Sequence, residues 1–273
     1  MNAWVQTVDF IKMHSNSNDF VIIDRRNADN GPTDVNYACI AHRKTGVGCD
    51  QVVIMDRSDN ADCTMFIYNA DGSQVAMCGN AAMCLGKLLM DEHGTASASI
   101  AVGDRVILAE RMSCGRIKIN LGKPKLAWQD IPVAKECDTL SVPLSIPGFP
   151  QPVGVNMGNT HMVFFVESVK SCQLEVLGPM VEQHPIFPQK TNVCVAEVAA
   201  RNHIILRVWE RGVGETSSCC SGSCAALISG VRLGITDKQC LVGMPGGDLL
   251  TEWQESGDIL ASGGVAKSFQ GVL

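Results

Sequence analysis

Short apolar stretches separated by polar turns dominate the hydrophobic pattern of the chain, and they predict a fold built mainly of β-strands. The predicted strands are residues 20–23, 52–55, 64–68, 105–109, 116–120, 161–166, 204–208 and 249–252. Helical spacing of apolar residues is clearest in two segments, and each of them follows a cysteine. We therefore expect an α/β protein of the α+β type with few helices.

The two predicted helices have the same design. The first follows Cys78 and continues to about Met90, with apolar residues at near-helical spacing: Ala82, Leu85, Leu88 and Leu89. The second follows Cys219 and stops at Gly234, with its own apolar set: Ala225, Ala226, Ile228 and Val231. A polar turn that contains glycine precedes each cysteine, so each half of the chain predicts a strand, a turn, a cysteine and a helix.

This repeated order predicts two similar, pseudo-symmetric domains. An asparagine precedes a β-rich run in each half, Asn18 in the first and Asn159 in the second. The proline-containing stretch 123–143 is the predicted connection. Such a duplication would place Cys78 and Cys219 on opposite walls of an interdomain cleft, which is a common setting for ligand sites.

Composition and charge exclude several classes of function. Of the 273 residues, 46% are hydrophobic and 18% charged, which is typical of a protein with sizeable cores. The net charge of −6 argues against a nucleic-acid surface. Apolar runs are too short to span a bilayer, and no signal peptide is expected at the start. The odd number of cysteines, 13, predicts free thiols in a reducing compartment, the cytoplasm.

A cysteine at the start of a helix has distinctive chemistry. Unpaired backbone N–H groups and the positive end of the helix dipole favour the thiolate, and they also attract a carboxylate. Two thiols on opposite faces of one carbon can remove a proton from one face and return it to the other, which inverts a stereocentre. No phosphate loop or dinucleotide motif is present, so we expect no cofactor.

Other roles for the cysteines are less well supported. Cys84 and Cys224 lie further along each helix, where packing is the expected role, and the role of Cys220 is open. The cysteine spacings match no zinc-binding pair, so no metal is expected. A cysteine hydrolase would need a histidine base, and His14 and His161 are the histidines near these motifs, although a structural role is the usual one for such a residue.

Beyond these patterns, the chain resembles the diaminopimelate epimerase family nearly from end to end. The motifs that carry the resemblance are KMH at 12–14, NDF at 18–20, GVGCDQ at 46–51, NADGS at 69–73, MCGN at 77–80, MGNTH at 157–161, ERGVGET at 210–216 and PGG at 245–247. The resemblance implies two domains, each a β-barrel-like sheet around a central helix. Their implied bounds are 1–123 plus 267–273, and 124–266, with a homodimer as the assembly.

The resemblance also implies a function and a set of site residues. The function is epimerisation of LL- to meso-diaminopimelate without pyridoxal phosphate, by a two-base thiol mechanism, for lysine and peptidoglycan precursor supply. Cys78 and Cys219 match the catalytic residues. Side chains matching the substrate contacts are Asn18, Gln51, Asn69, Asn159, Asn192, Glu210 and Arg211. Positions whose backbone amides match the carboxylate site are Gly79, Asn80, Cys220 and Ser221.

Departures from the family pattern leave alternatives open. Cys220 replaces a glycine, Ala81 and Met83 replace a glycine and an arginine, and Ser15-Asn16-Ser17 replaces Gly-Leu-Gly. One alternative is a racemase of another amino acid, such as histidine or a diamino acid. Another is a protein without catalytic activity that binds a metal through thiolates or senses redox state.

Overall fold

The computed structural model describes residues 7–27 and 35–273, and strands dominate it. The strands are β1 (Asp9–Ser15), β2 (Asn18–Asp24), β3 (Gln51–Asp56), β4 (Cys63–Asn69), β5 (Gln74–Val75), β6 (Ser97–Val102), β7 (Arg105–Arg111), β8 (Ile117–Asn120), β9 (Val153–Asn156), β10 (Thr160–Phe165), β11 (Asn192–Ala200), β12 (His203–Glu210), β13 (Gly214–Thr216), β14 (Gln239–Met244), β15 (Gly247–Trp253), β16 (Ile259–Gly263) and β17 (Val265–Val272). The α-helices are α1 (Tyr37–Ala41), α2 (Gly79–His93), α3 (Leu174–Glu182) and α4 (Cys220–Arg232), with a 3₁₀ turn at Val169–Ser171.

The predicted elements are present in this structure. All eight predicted strands coincide with observed ones to within a residue or two at the ends, and the mixed α+β class is confirmed. Both helices that follow a cysteine are confirmed as well. α2 ends before Gly94, and α4 ends two residues before Gly234. These glycines have left-handed φ values of +66° and +72°, which a residue without Cβ adopts at little cost.

The chain divides into two compact units. The first comprises the described residues up to Ile119 together with Gly263–Leu273, and the second comprises Asn120–Ser262. The domain bounds expected from the sequence stay a prediction, and part of the first domain, residues 1–6 and 28–34, lies outside the described residues.

In the first unit, strands enclose a central helix. β1 pairs antiparallel with both β2 and the C-terminal strand β17. The pairing then continues as β2–β3 parallel, β3–β4 antiparallel, β4–β6 parallel, β6–β7 antiparallel and β7–β8 antiparallel. α2 packs against β1, β6, β7 and β17. Residues on all of its faces are buried, as expected for a helix that is apolar nearly all round.

The second unit repeats this order of pairing. β10–β11 is parallel, β11–β12 antiparallel, β12–β14 parallel, β14–β15 antiparallel and β15–β16 antiparallel. α4 occupies the central position and packs against β9, β10, β11, β12, β14 and β15. The repeat expected from the sequence is therefore confirmed at the level of strand pairing.

Two further features of the described residues bear on function. None of the helices in residues 7–27 and 35–273 is long and apolar enough to cross a membrane. The turn between β1 and β2 is formed by Asn16 and Ser17, with φ of +50° and +64°. Two residues with left-handed backbone conformation form a tight hairpin turn, in which glycine is usual. The turn directly before Asn18 is therefore compact although it lacks the family's glycines.

Candidate active site

Cys78 and Cys219 each occupy the residue directly before a helix. Cys78 precedes α2 with φ −142° and ψ 116°, and Cys219 precedes α4 with φ −137° and ψ 106°. Their carbonyl oxygens accept the first helical hydrogen bonds, from Ala82 N at 3.1 Å and Ser223 N at 2.9 Å. The predicted position of both thiols at helix starts is thus confirmed. The first N–H groups of a helix have no acceptor within it, and they favour an anion nearby.

In the first unit, the predicted residues Asn18 and Asn80 lie together beside Cys78. The Cys78 Sγ is 3.7 Å from Asn18 Oδ1. The same oxygen accepts a hydrogen bond from Asn80 Nδ2 at 3.3 Å. β2 begins at Asn18 and α2 begins at Gly79, so the hydrogen bonds join the start of a strand to the start of the central helix.

Gln51 and Asn69 form a second polar pair in this unit. They face each other in the register of β3 and β4, and Gln51 Nε2 donates to Asn69 Oδ1 at 3.0 Å. Gln51 Oε1 is buried and has no hydrogen-bond partner among residues 7–27 and 35–273. A buried acceptor of this kind is costly unless a ligand or water supplies a donor.

A network of charged residues supports Asn18, and sequence reasoning assigned it no role. Lys12 Nζ donates to Asp19 at 2.6 Å, and Arg43 bridges Asp19 at 2.8 Å and Asp50 at 2.7 Å. Burial alone would raise the pKa of Asp19. The hydrogen bonds from Arg43 and Lys12 outweigh it and hold the pKa of this carboxyl well below its usual range. The signal in the sequence was that Asp19 and Asp50 each lie within a family motif, at 18–20 and at 46–51.

In the second unit, Cys219 belongs to a buried chain of polar side chains. Its Sγ is 3.5 Å from Ser221 Oγ, which is 3.0 Å from His161 Nε2. The same ring nitrogen is 3.0 Å from Asn159 Oδ1, and the other, Nδ1, is 3.6 Å from Cys194 Sγ. His161 is completely buried, and burial together with the positive charge of Arg211 lowers its pKa to about 3. The imidazole is therefore neutral at physiological pH.

Burial determines the protonation of Cys219. The residue is 5% exposed, and burial raises the pKa of its thiol well above the usual value, with Glu210 and Cys194 adding to the effect. Hydrogen bonds from Ser221 and from the N–H of Gly222 lower the pKa of this thiol, but by less than burial raises it. The expectation that a helix start lowers the thiol pKa is therefore not met here, because desolvation exceeds the effect of the helix terminus.

The thiol of Cys220 turns away into the core. It forms a hydrogen bond with the thiol of Cys224, one turn further along α4, and this bond together with burial raises its pKa. Cys224 and its counterpart Cys84 in α2 are fully buried, which confirms the packing role predicted for them. Met83, which replaces the family's arginine, is also fully buried, and its Sδ lies 3.9 Å from Ser15 Oγ.

A fixed turn carries Glu210 and Arg211. Asn192 Oδ1 accepts the backbone N–H of Arg211 at 2.8 Å, and the Arg211 guanidinium donates to the carbonyl of Gln189 at 2.8 Å. Glu210 accepts the hydroxyl of Thr216 at 2.6 Å.

Sequence reasoning missed a second support of this turn, the buried carboxylate of Glu182. This group accepts Trp209 Nε1 at 2.8 Å and Gly212 N at 3.2 Å. Glu182 ends α3, and its position in sequence gave no signal of this role.

Within residues 7–27 and 35–273, no cluster of three or more His, Cys, Asp or Glu side chains is arranged to hold a metal ion. None of the thirteen cysteines, all of which lie within the described residues, forms a disulfide.

Solved structures with the same fold include epimerases. The chain superposes on a hydroxyproline epimerase from Agrobacterium vitis with a TM-score of 0.73 at 10% identity, covering 100% of this chain and 92% of that one. A predicted epimerase from Pseudomonas aeruginosa matches with a TM-score of 0.68 at 13% identity, covering 97% and 99%. The fold is therefore that of the two-unit epimerases.

Sequence comparison narrows this class to one family. The family model for diaminopimelate epimerase matches residues 10–127 and 153–268. The diaminopimelate epimerase of Wolbachia sp. subsp. Drosophila simulans (strain wRi) is 49% identical over 90% of this chain and 92% of its own length. That of Acidiphilium cryptum is 40% identical over 97% and 95%. The chain belongs to the diaminopimelate epimerase family.

Proposed function

We propose that this protein is an isomerase that interconverts LL- and meso-diaminopimelate without a cofactor. The observation that carries the proposal is the pair of helices, α2 and α4, that begin directly after Cys78 and Cys219 in nearly the same backbone conformation. The relatives named diaminopimelate epimerase, at 40–49% identity over most of the chain, support the same substrate.

Proton transfer uses both thiols. In one direction the Cys78 thiolate takes the proton from the α-carbon and becomes a thiol, and the electron pair of the C–H bond moves into the carboxylate as an enediolate. The Cys219 thiol then gives its proton to the opposite face of the carbon and becomes a thiolate. The raised pKa of Cys219 supports its role as the resting acid. In the reverse direction the two residues exchange roles.

Backbone amides stabilise the charge that develops on the substrate. The positions are Gly79 and Asn80 at the start of α2, and Cys220 and Ser221 at the start of α4. N–H groups fixed by a helix need little reorganisation as the enediolate forms, so they lower the barrier electrostatically. Since the thiol of Cys220 faces the core, its backbone can serve this role as a glycine would.

Polar side chains bind the distal amino-acid group of the substrate. Arg211 pairs with the distal carboxylate, and Glu210 accepts from the distal ammonium. The amide side chains complete the set: Asn18, Gln51, Asn69, Asn159 and Asn192. The buried, unsatisfied Oε1 of Gln51 supports this assignment, because a substrate ammonium would supply its missing donor.

The setting in the cell follows from the same assignment. We place the enzyme in the cytoplasm as a homodimer, supplying lysine and peptidoglycan precursors. The lack of a disulfide among the thirteen cysteines supports a reducing compartment.

Deuterium exchange tests the proposed function. The reduced protein is incubated with LL-diaminopimelate in deuterated water, and α-deuteration and stereochemistry are followed by mass spectrometry and chiral chromatography. We expect one deuterium at one α-carbon together with formation of the meso isomer. Absence of exchange under reducing conditions would contradict the proposal, and exchange into histidine or another diamino acid in a parallel panel would replace the substrate.

A further inference from the structure

Asp50 is not among the residues implied by the family resemblance, yet its carboxylate holds the side chain that faces Cys78. Asp50 Oδ2 accepts a hydrogen bond from Asn18 Nδ2 at 3.1 Å and another from the backbone N–H of Asp19 at 3.1 Å. An ionised carboxylate can only accept. The amide nitrogen of Asn18 therefore points toward Asp50.

This orientation decides which atom of Asn18 faces the sulfur. With its nitrogen on Asp50, the amide presents Oδ1 to Cys78 Sγ at 3.7 Å, and Asn80 Nδ2 donates to the same oxygen at 3.3 Å. A carbonyl oxygen can accept from a thiol but offers no proton to a thiolate. The same amide rotated by half a turn would direct an N–H at the sulfur, and a hydrogen bond to the charged form makes a thiolate a weaker base.

We propose that Asp50 is a positioning residue that fixes Asn18 with its oxygen toward Cys78, so that the Cys78 thiolate receives no hydrogen bond from this amide and remains a strong base. The inference rests on the proposed function, in which Cys78 exchanges a proton with the α-carbon. Removing a weakly acidic α-proton requires a strong base. Through its contact with Asn18, Asp50 preserves the basicity of the Cys78 thiolate without itself contacting the substrate.

The groups around this contact hold Asp50 in place. Arg43 donates to Asp50 at 2.7 Å and to Asp19 at 2.8 Å, while Lys12 neutralises Asp19 at 2.6 Å. The titratable and charged groups that surround the Asn18–Cys78 pair are Lys12, Asp19, Arg43, Cys49, Asp50 and Cys84. Burial raises the pKa of Cys49 to about 11 and that of Cys84 well above its usual value, so neither thiol carries charge near neutral pH.

The test measures the basicity of Cys78 without substrate. The alkylation rate of Cys78 by iodoacetamide is recorded from about pH 6 to pH 10, and peptide mass spectrometry assigns the adduct. In D50A the Asn18 amide keeps the hydrogen bond from Asn80 but loses the acceptor of its nitrogen, so the rotated amide becomes populated. We therefore expect the midpoint of the profile to fall by about one pH unit. In D50N the amide oxygen, oriented by the N–H of Asp19, still accepts from Asn18, so the midpoint should stay at the wild-type value.

Two controls separate positioning from charge and from simple loss of structure. R43A removes the exposed ion pairs but leaves the carboxylate facing Asn18, so its midpoint should also stay unchanged. D50S, whose hydroxyl is too short to reach Asn18, should behave as D50A and provides a second variant if D50A fails to fold, as judged by circular dichroism. If the midpoint shifts as much in D50N as in D50A, the effect belongs to charge and the proposal is overturned. An equal shift of the midpoint in R43A, or no shift in D50A and D50S, would also overturn it.

Turnover provides the second readout. In D50A the weaker base should lower kcat for deuterium exchange by about threefold. KM should rise as well, because Asn18 is also a proposed substrate contact. A drop in kcat/KM that comes from KM alone would contradict the role in basicity. If wild-type protein exchanges no deuterium into diaminopimelate, the proposed function fails, while the alkylation profiles still decide what Asp50 does to Cys78.

Discussion

The starts of α2 and α4 have nearly the same backbone conformation, yet they place their cysteines in different surroundings. Cys78 is partly exposed. Its neighbour Asn18 adjoins a network of ion pairs formed by Lys12, Asp19, Arg43 and Asp50. Cys219 is buried, and Ser221 links it to the neutral ring of His161. One helix start is thus supported by charges and the other by neutral groups. The comparison shows that the same local geometry can hold cysteines in different environments, and that burial keeps the Cys219 thiol protonated at rest.

The largest expected effect comes from removing either thiol. C78A and C219A should each lower turnover by at least about 10³-fold, because each variant lacks one of the two proton-transfer groups. Turnover of LL-diaminopimelate, followed by chiral chromatography, measures the loss. C114A, at an exposed cysteine outside both groups, is the matched control and should remain active. Activity that survives in either C78A or C219A would break the two-base mechanism.

A second effect contrasts the two thiols directly. At pH 7 to 8, iodoacetamide should modify Cys78 at least about tenfold faster than Cys219, because burial both shields the Cys219 sulfur and raises its pKa. Site-resolved mass spectrometry of briefly treated, reduced protein gives the two rates. Unfolding in guanidinium should make them equal, which shows that the difference belongs to the fold. Faster modification of Cys219 in the native protein would reverse the assignment of the resting acid.

The smallest effect concerns how tightly each central helix is packed. A Cβ added at Gly86 in α2 would lie 2.4 Å from the Cβ of Ala109, whereas one added at Gly222 in α4 would lie no closer than 3.2 Å to its nearest neighbour, Val208. G86A should therefore lower the free energy of unfolding by about 1–3 kcal/mol. G222A should change it by less than about 1 kcal/mol, since the gain in helix propensity offsets the crowding. Urea denaturation of both variants measures the difference, and equal values would show that β7 can move away from α2.

Much of the fold was predictable because its central elements are locally distinct. Strands β3 and β12 each contain an apolar run with β-branched residues, and the two central helices follow polar turns. Less distinct elements escaped prediction. β1 contains Lys12 and His14, and Lys12 is tolerated in the core because it pairs with Asp19. α3 contains Pro179, which argues locally against a helix.

The candidate site was predictable to a similar extent. The motifs named Asn18, Asn80 and Cys78, and the structure brings them into contact. The supporting residues were not predictable, because their roles depend on partners far along the chain. Glu182 accepts from Trp209 and Gly212, and Asp50 accepts from Asn18, contacts across 27 to 32 positions. His161 was noted only as a histidine near the motifs, and the structure places it, fully buried, in the polar chain that reaches Cys219.

The sequence by itself determined the repeated order of elements, the place of each cysteine directly before a helix and the family to which the chain belongs. These properties depend on residue type and spacing within short segments, which the linear pattern carries completely. Only the tertiary structure decided that Cys219 is buried as a thiol, that the Cys220 thiol packs against Cys224 and that Asp50 controls which atom of Asn18 faces Cys78. Desolvation and long-range hydrogen bonds set those properties, and they exist only once distant segments have packed together.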